Sequence, residues 1–353
     1  MAHRDIIVIG ASAGGVEAVK GVVAGLPREL PAAVFVVLHI PPFSPSQLPK
    51  ILCDAGVLEA VHPGDGEAFS NGRIYVAPPD HHLLLEASRI IVRRGPKENR
   101  FRPSVDALFR SAAYVHGPRV IGVVMSGVLD DGTSGLWSIK RMGGLAIAQK
   151  PDDALQPEMP RNAIEEVEID HVATAAEIGP LLAKLAGESV TDPRPAEIDH
   201  GELRRLGLEA DIAARNGAFD KAIMTWGDIA PFTCPDCHGA LVRLEEGSLL
   251  RFRCHIGHAF TPRALLAGIT DAVEDTLWQA VRGLEEQTSM LDYLAGHFQS
   301  AGHADIAARF VHNASESRAR AQIVFDALPR QHELTEEISA GPPVAGHPPG
   351  EPH

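Results

Sequence analysis

Ser12 lies in Gly10-Ala11-Ser12-Ala13-Gly14-Gly15, a glycine-rich turn directly after the apolar run 6–9. Glycine lets the backbone turn sharply and lets a substrate approach closely. The amides at the start of the following helix point outward, as donors for a developing oxyanion. A serine hydroxyl becomes an effective nucleophile only when a base takes its proton. His39, which ends the next apolar run and precedes Pro41-Pro42, is the candidate base. Asp131, or Asp130 beside it, follows a third run and can orient the imidazole and offset its charge. The order Ser, His, Asp is not that of the α/β-hydrolases. Phosphate is the competing ligand, because a glycine-rich turn after a first strand can cradle it at a helix N-terminus. Against that reading, Gly-x-Gly-x-x-Gly is incomplete, and a histidine rather than an acidic residue ends the second strand. On these residues alone both chemistries stay open, and His39 alone could equally be structural.

A second constellation is Cys234-Pro-Asp-Cys237, followed after sixteen residues by Cys254-His255-Ile256-Gly257-His258. Three thiolates and an imidazole are the donor set zinc prefers. An isolated Cys-x-x-Cys could be redox-active, but redox chemistry has no need of the second cluster. Cys-x3-His reaches round a metal more comfortably than adjacent Cys-His, so the expected ligands are Cys234, Cys237, Cys254 and His258, holding a structural zinc. A zinc knuckle can also bind nucleic acid; the chain shows no basic stripe that would suit one.

The elements that must position these groups are legible as alternating patterns. The runs 6–9, 34–38, 74–77, 89–92, 120–125 and 144–148 read as strands, and 16–25, 104–115, 134–142 and 175–185 have helical spacing. Strands apolar on both faces and separated by helices imply a parallel sheet covered on both sides. The expected fold is therefore α/β, doubly wound and mostly parallel. Ser12, His39 and Asp131 would then fall at the carboxyl ends of its strands, where ligand crevices form. The runs 74–77 and 89–92, with Pro78-Pro79-Asp80 between them, are expected to form an inserted β-hairpin. A catalytic domain over 1–187 would be followed by a linker and short helix over 188–224, the cysteine segment over 225–262, a helical region over 263–330 and a disordered tail over 331–353. In the helical region Leu277, Val281, Leu284, Leu291, Leu294 and Phe298 form one apolar stripe.

A chain of 353 residues with 45% hydrophobic residues can bury more than one core. Its formal charge of −14 argues against non-specific binding of nucleic acid or of an anionic membrane surface. No apolar run approaches the roughly eighteen residues of a membrane-spanning helix. Four cysteines, three of them clustered, do not make a disulfide framework, and together with an N-terminus that passes at once into a strand they point to a cytoplasmic protein.

Several motifs in the first half occur together: Ile9-Gly10-Ala11-Ser12-Ala13-Gly14-Gly15, His39-Ile40-Pro41-Pro42, Tyr75-Val76-Ala77-Pro78, Asn99-Arg100-Phe101-Arg102-Pro103-Ser104-Val105-Asp106, Ser126-Gly127 through Asp131-Gly132, and Met159-Pro160-Arg161-Asn162-Ala163-Ile164. In order and spacing they resemble the catalytic domain of the chemotaxis protein-glutamate methylesterases, the CheB-type family. The resemblance implies Ser12 as nucleophile, His39 as general base and acid, and Asp131 as its orienting carboxylate, with Asp130 ranked second. It implies hydrolysis of glutamate methyl esters on chemoreceptor-type signalling proteins, deamidation of glutamine there, and no cofactor for catalysis. Ala13, Gly14 and Val128 fall in the oxyanion region, and Arg100 and Arg102 are candidates for holding a Glu-rich receptor helix. Its companions would be a methylated chemoreceptor or receptor-like protein and a methyltransferase or histidine kinase. Ala13 replaces the usual threonine, Leu38 replaces a polar residue, and Val128-Leu129 replaces Met-Gly. With the catalytic strand beginning near residue 5, a stand-alone form without a receiver domain is expected. The alternative function is a non-catalytic regulatory protein that keeps the esterase fold.

Overall fold

The computed structural model describes residues 2–43, 45–190, 198, 200–215, 223–247 and 249–328. The tail expected at 331–353 and parts of the expected linker lie outside them. The chain divides into two compact units, residues 1–265 and the remainder from 266.

After a two-residue strand, Ala2–His3, that pairs with Ser189–Val190, the first unit continues with β1 (Ile6–Ala11), β2 (Ala33–Leu38), β3 (Glu59–Val61) and β4 (Arg73–Val76). A hairpin of β5 (His82–Leu85) and β6 (Ile90–Arg93) follows, then β7 (Val120–Val124), β8 (Leu145–Gln149) and β9 (His171–Ala173). β1 to β4 and β7 to β9 join one parallel sheet in the order β9-β8-β7-β1-β2-β4-β3. The connecting helices are α1 (Gly15–Ala24), α2 (Leu48–Ala55), α3 (Val105–His116), α4 (Thr133–Arg141), α5 (Glu158–Glu166) and α6 (Ala175–Leu185). Successive strand residues point to opposite faces. Ile7, Ile9, Val34 and Val36 therefore pack with Val19, Val22, Leu52, Ile178 and Leu182 of α1, α2 and α6. Ile6, Val8, Phe35 and Val37 pack on the other face with Leu108, Phe109, Leu136 and Met159 of α3, α4 and α5. This is the doubly wound sheet expected from the runs.

The hairpin falls one element later than expected. The turn between 74–77 and 89–92 predicts that the two runs pair, yet Ile74, Tyr75 and Val76 are fully buried in β4, inside the parallel sheet. A run apolar on both faces suits an interior parallel strand better than a hairpin. The partner of β6 is β5, whose leading His82 is fully buried and interrupts the apolar pattern.

After α7 (His200–Arg215) comes an antiparallel sheet of β10 (Asp228–Thr233), β11 (Ala240–Glu246), β12 (Leu249–Cys254) and β13 (Ala259–Phe260), in that order. The sequence sets this segment apart as 225–262, but it is built into the same compact unit as the parallel sheet. Charge makes the joint. Arg251 donates to Glu209 of α7 at 2.5 and 2.9 Å and to Glu246 at 2.5 Å. Arg253 donates to Glu209 and to Glu98 at 2.9 Å each. Arg110 of α3 pairs with Glu98 and lies 3.3 Å from Glu209. Burial raises the Glu209 pKa, but the Arg251, Arg253 and Arg110 charges together hold it well below the usual carboxylate range.

The long helix α8 (Pro262–Ser300) and α9 (Ala304–Phe325) follow. Gly302, at φ 82°, ends α8, and His303 N–H donates to Phe298 O at 2.9 Å. The stripe containing Val281 and Leu284 is matched on α9 by buried Ala307, Ala314, Ser317 and Ala321, with Ser317 Oγ donating to Leu284 O at 3.0 Å. No helix of the described residues is long and apolar enough to cross a membrane.

Because Glu209 faces three buried arginines, Glu209→Ala leaves uncompensated positive charge in a dry site. We expect a loss of about 3–5 kcal/mol in urea-induced unfolding. A loss below about 1 kcal/mol would show that the network does not secure the antiparallel sheet.

Candidate active site and metal centre

Ser12 directly follows β1, His39 directly follows β2, and Asp131 lies in the loop after β7. These three strands are neighbours in the order β7-β1-β2. The sheet reverses its winding between β7 and β1, and the loops at the carboxyl ends diverge there. The Ser12 turn is clamped from beneath: Ser12 N–H donates to Ser126 O at 2.9 Å, and Ser126 Oγ donates to Ala13 O at 2.8 Å. Gly14 has φ 74°, and a Cβ there would meet Ser126 Oγ at 2.7 Å. Gly127 packs against the serine itself, since an added Cβ would sit 2.8 Å from Ser12 Cβ and 2.0 Å from Met159 Sδ.

His39 Nδ1 lies 3.1 Å from Ser12 Oγ and its Nε2 lies 2.8 Å from Asp131 Oδ2. With Asp131 as acceptor, the network assigns the proton to Nε2 and leaves Nδ1 to accept from the serine hydroxyl. Asp131 is 1% exposed. Besides His39, its oxygens accept from Val105 N–H at 2.7 Å, Asn99 Nδ2 at 2.9 Å, Ser104 Oγ at 2.9 Å and Asp106 N–H at 3.2 Å. Burial alone would raise the Asp131 pKa, but His39, Asn99 and Val105 bring it below the ordinary value. Burial, then the Asp131 charge, push the adjacent Asp106 up, so the negative charge of the pair resides on Asp131. Asp130 points elsewhere: its Oδ1 accepts from Thr261 Oγ1 at 2.7 Å. Among the described residues, the N–H groups of Ala13, Gly14 and Val128 donate no hydrogen bond, and all three border Ser12 or the Ser126-Gly127 turn.

Phe101 stacks on His39, ring centroids 3.7 Å apart and 10° from parallel. It closes a tight turn in which Glu98 and Phe101 exchange backbone bonds at 3.0 and 3.2 Å and Asn99 and Arg100 have φ of 50° and 76°. Positive φ at both central residues is the mark of a type I′ turn. Arg100 is carried at its tip, half-buried. Arg102 is a brace: its guanidinium donates to Asp80 Oδ1 at 2.6 and 2.9 Å, to Asp80 O at 3.0 Å and to Gly95 O at 2.6 Å. Asn99, Phe101 and Ser104 share a motif with the two arginines, but their contacts with Asp131 and His39 are not legible from it. The only local signal was an asparagine, the residue that best tolerates positive φ after glycine.

At one end of the antiparallel sheet two tight turns face each other. In the first, His238 N–H donates to Cys234 O and Cys234 N–H to Gly239 O, both at 2.8 Å; in the second, Cys254 N–H donates to His258 O at 3.0 Å. Ligand atoms of Cys234, Cys237, Cys254 and His258 all lie within 4.8 Å of one another. Cys237 and Cys254 Sγ are 3.6 Å apart, and His258 Nδ1 lies 3.6 Å from Cys234 Sγ and 3.5 Å from Cys254 Sγ. Metal–sulfur bonds of about 2.3 Å in a tetrahedron require edges of roughly 3.7 Å, so the donor set fits a zinc-sized ion. His255 stands apart from this cluster, its ring over Gly239.

His82 is the hidden support of the site. Its Nε2–H donates to Pro96 O at 2.8 Å, and its Nδ1 accepts from Ser104 N–H at 3.2 Å, next to the hydroxyl that serves Asp131. Burial lowers its pKa to about 4. The folded state therefore binds fewer protons than the unfolded chain, whose histidines titrate near 6.5. The stability tied to neutral His82 is complete above about pH 6.5 and is lost as pH falls toward 4. Between pH 7 and 4 the stability difference between wild type and His82→Gln should shrink by about 2–3 kcal/mol in denaturant titrations. A difference constant with pH would contradict this.

A sequence profile described as CheB methylesterase matches residues 7–182. A protein of Leptospira interrogans (strain Fiocruz L1-130), provisionally named protein-glutamate methylesterase/protein-glutamine glutaminase, is 38% identical over 187 residues, which are 52% of this chain and 95% of that protein. The Escherichia coli K12 protein-glutamate methylesterase/protein-glutamine glutaminase is 36% identical over 54% of this chain and 56% of its own length. The crystal structure of the Thermotoga maritima CheB methylesterase catalytic domain matches with a TM-score of 0.51 at 33% identity, covering 53% of this chain and all of that domain. The α/β sheet with its carboxyl-edge serine, histidine and aspartate, together with these likenesses, shows that the chain belongs to the CheB methylesterase family.

Proposed function

We propose that the protein is a serine hydrolase that removes methyl groups from glutamate methyl esters on chemoreceptor-type signalling proteins, and deamidates glutamine at the same site. The observation that carries this reading is the hydrogen-bonded series Ser12 Oγ, His39 Nδ1, His39 Nε2, Asp131 Oδ2 at 3.1 and 2.8 Å, in a chain of this family. Ser12 Oγ attacks the ester carbonyl carbon as its proton passes to His39 Nδ1. The imidazolium is stabilised by the buried Asp131 carboxylate. The carbonyl oxygen, now anionic, meets the N–H groups of Ala13, Gly14 and Val128. Replacing the family's threonine with Ala13 removes a hydroxyl but leaves its backbone donor in place. Collapse of the tetrahedral adduct breaks the ester C–O bond, and His39 Nδ1–H protonates the departing methoxide to methanol. Water then attacks the glutamyl-serine ester, with His39 again taking a proton, and glutamate and Ser12 are regenerated. An amide substrate follows the same course with ammonia as leaving group.

The substrate helix carries several carboxylates. Arg100, half-buried at the tip of its turn, is the arginine we assign to them. The cysteine centre takes one structural zinc on Cys234, Cys237, Cys254 and His258, and no catalytic step passes through it.

Ser12→Ala should lower methanol release from a methylated receptor by at least about a thousandfold, with the folded fraction unchanged. Equal rates for the two proteins would rule out the serine mechanism. Elemental analysis of the purified full chain should return about one zinc per chain, and none for the Cys234→Ser/Cys237→Ser variant.

A further inference from the structure

The zinc turn and the catalytic aspartate are separated by very little structure. His258 is followed at once by Ala259 of β13, whose N–H donates to Lys97 O at 3.3 Å and whose carbonyl accepts from Asn99 N–H at 2.7 Å. Two residues on, Thr261 N–H donates to Asn99 Oδ1 at 2.9 Å. That bond settles which way the Asn99 amide faces. With Oδ1 turned to Thr261, the Nδ2 group must point the other way, where it donates to Asp131 Oδ1 at 2.9 Å and Asp106 Oδ2 at 2.8 Å. Thr261 Oγ1 meanwhile donates to Asp130, the residue before the catalytic aspartate. The same turn presents Phe101 to the His39 ring. The backbone at Asn99 and Arg100 is held at positive φ, a conformation that non-glycine residues adopt only when their surroundings impose it.

We propose that the Cys3His centre controls how well the esterase site is assembled: its metal holds β13 and Thr261 against the 97–101 turn, and the turn in turn positions Asp131 and His39. Asn99 and Thr261 are thus positioning residues for the catalytic group. The strand that carries the load is weak by itself, since β13 has only two paired residues on β12. A two-residue pairing does not hold its register unaided. The metal closes the turn between Cys254 and His258 and supplies what the pairing lacks.

This inference rests on the serine-hydrolase reading, so the test is one in which the two fail separately. A fluorophosphonate probe reacts with any activated serine, forming a Ser12 Oγ–P bond with loss of fluoride, and needs no receptor. Its saturation kinetics give a maximal rate and a half-saturating concentration. If full-length wild type is not labelled at Ser12, the hydrolase reading falls first. If wild type is labelled, chelator-stripped protein should show a maximal rate lower by about tenfold or more with half-saturation unchanged, and added zinc should restore it. Thr261→Val, with its zinc content confirmed, should lose about as much, and Thr261→Ser, which keeps the hydroxyl, should label at the wild-type rate. A stripped protein that stays folded and labels at the wild-type rate overturns the proposal. So does zinc-loaded Thr261→Val labelling at the wild-type rate, whether or not the metal-free protein remains folded.

Discussion

A carboxylate with almost no access to water has to remain charged, and the first unit is organised around that requirement. Asp131 meets it with five hydrogen bonds supplied by separate pieces of chain: His39 after β2, Asn99 in the tight turn, and Ser104, Val105 and Asp106 at the start of α3. Two of the five are backbone amides at a helix N-terminus, whose partial positive charge favours an anion. Each donor also fixes the element that carries it. The position of α3 against the sheet, the direction of the 97–101 turn and the tautomer of His39 are therefore different consequences of one buried charge. Asp106, on the same helix, could have competed for the charge, but burial beside Asp131 drives its carboxyl toward the neutral form.

The parallel sheet contributes geometry. β1 and β2 are in register along six pairs, from Ile6 with Ala33 to Ala11 with Leu38. Residues 12 and 39, the next after each strand, therefore emerge side by side, and the serine–histidine contact follows from strand length alone. β7 pairs with β1 on the other side and ends at Val124, opposite Gly10. From there Ser126 and Gly127 reach under Ser12 before the chain returns with Asp131. The lack of a side chain at Gly127 is what lets that loop pass so close to Ser12.

What the amino-acid sequence disclosed follows from range. Ser12, His39 and Asp131 bear reactive groups and stand at the ends of apolar runs, and both facts are local. The Cys3His cluster was legible for the same reason, as two groups of residues with a spacing. β3 is three residues long and β5 begins with a buried histidine, so neither gave a periodic signal. Asn99 and Thr261 were invisible because each acts on a partner remote in sequence. Glu98, Arg110, Glu209, Arg251 and Arg253 carry no local mark of their burial, and nothing local distinguishes a glutamate whose arginine is 155 residues away.

That long-range network also explains why the joint between the two sheets is ionic. Three arginines, 110, 251 and 253, face Glu98, Glu209 and Glu246, and the first five of these six side chains are fully or almost fully buried. Such a cluster adds little net stability compared with apolar packing of the same volume, because desolvation offsets most of the attraction. Its physical advantage is registry. An apolar face can slide by a few ångströms with a small loss, whereas a guanidinium displaced by that distance leaves a buried carboxylate unpaired. Glu98 is both a member of the network and the first residue of the turn that carries Asn99 and Phe101. Fixing its position to within hydrogen-bond tolerance fixes theirs, so a surface that contributes little to stability sets where Asn99 meets Asp131 and where Phe101 meets His39.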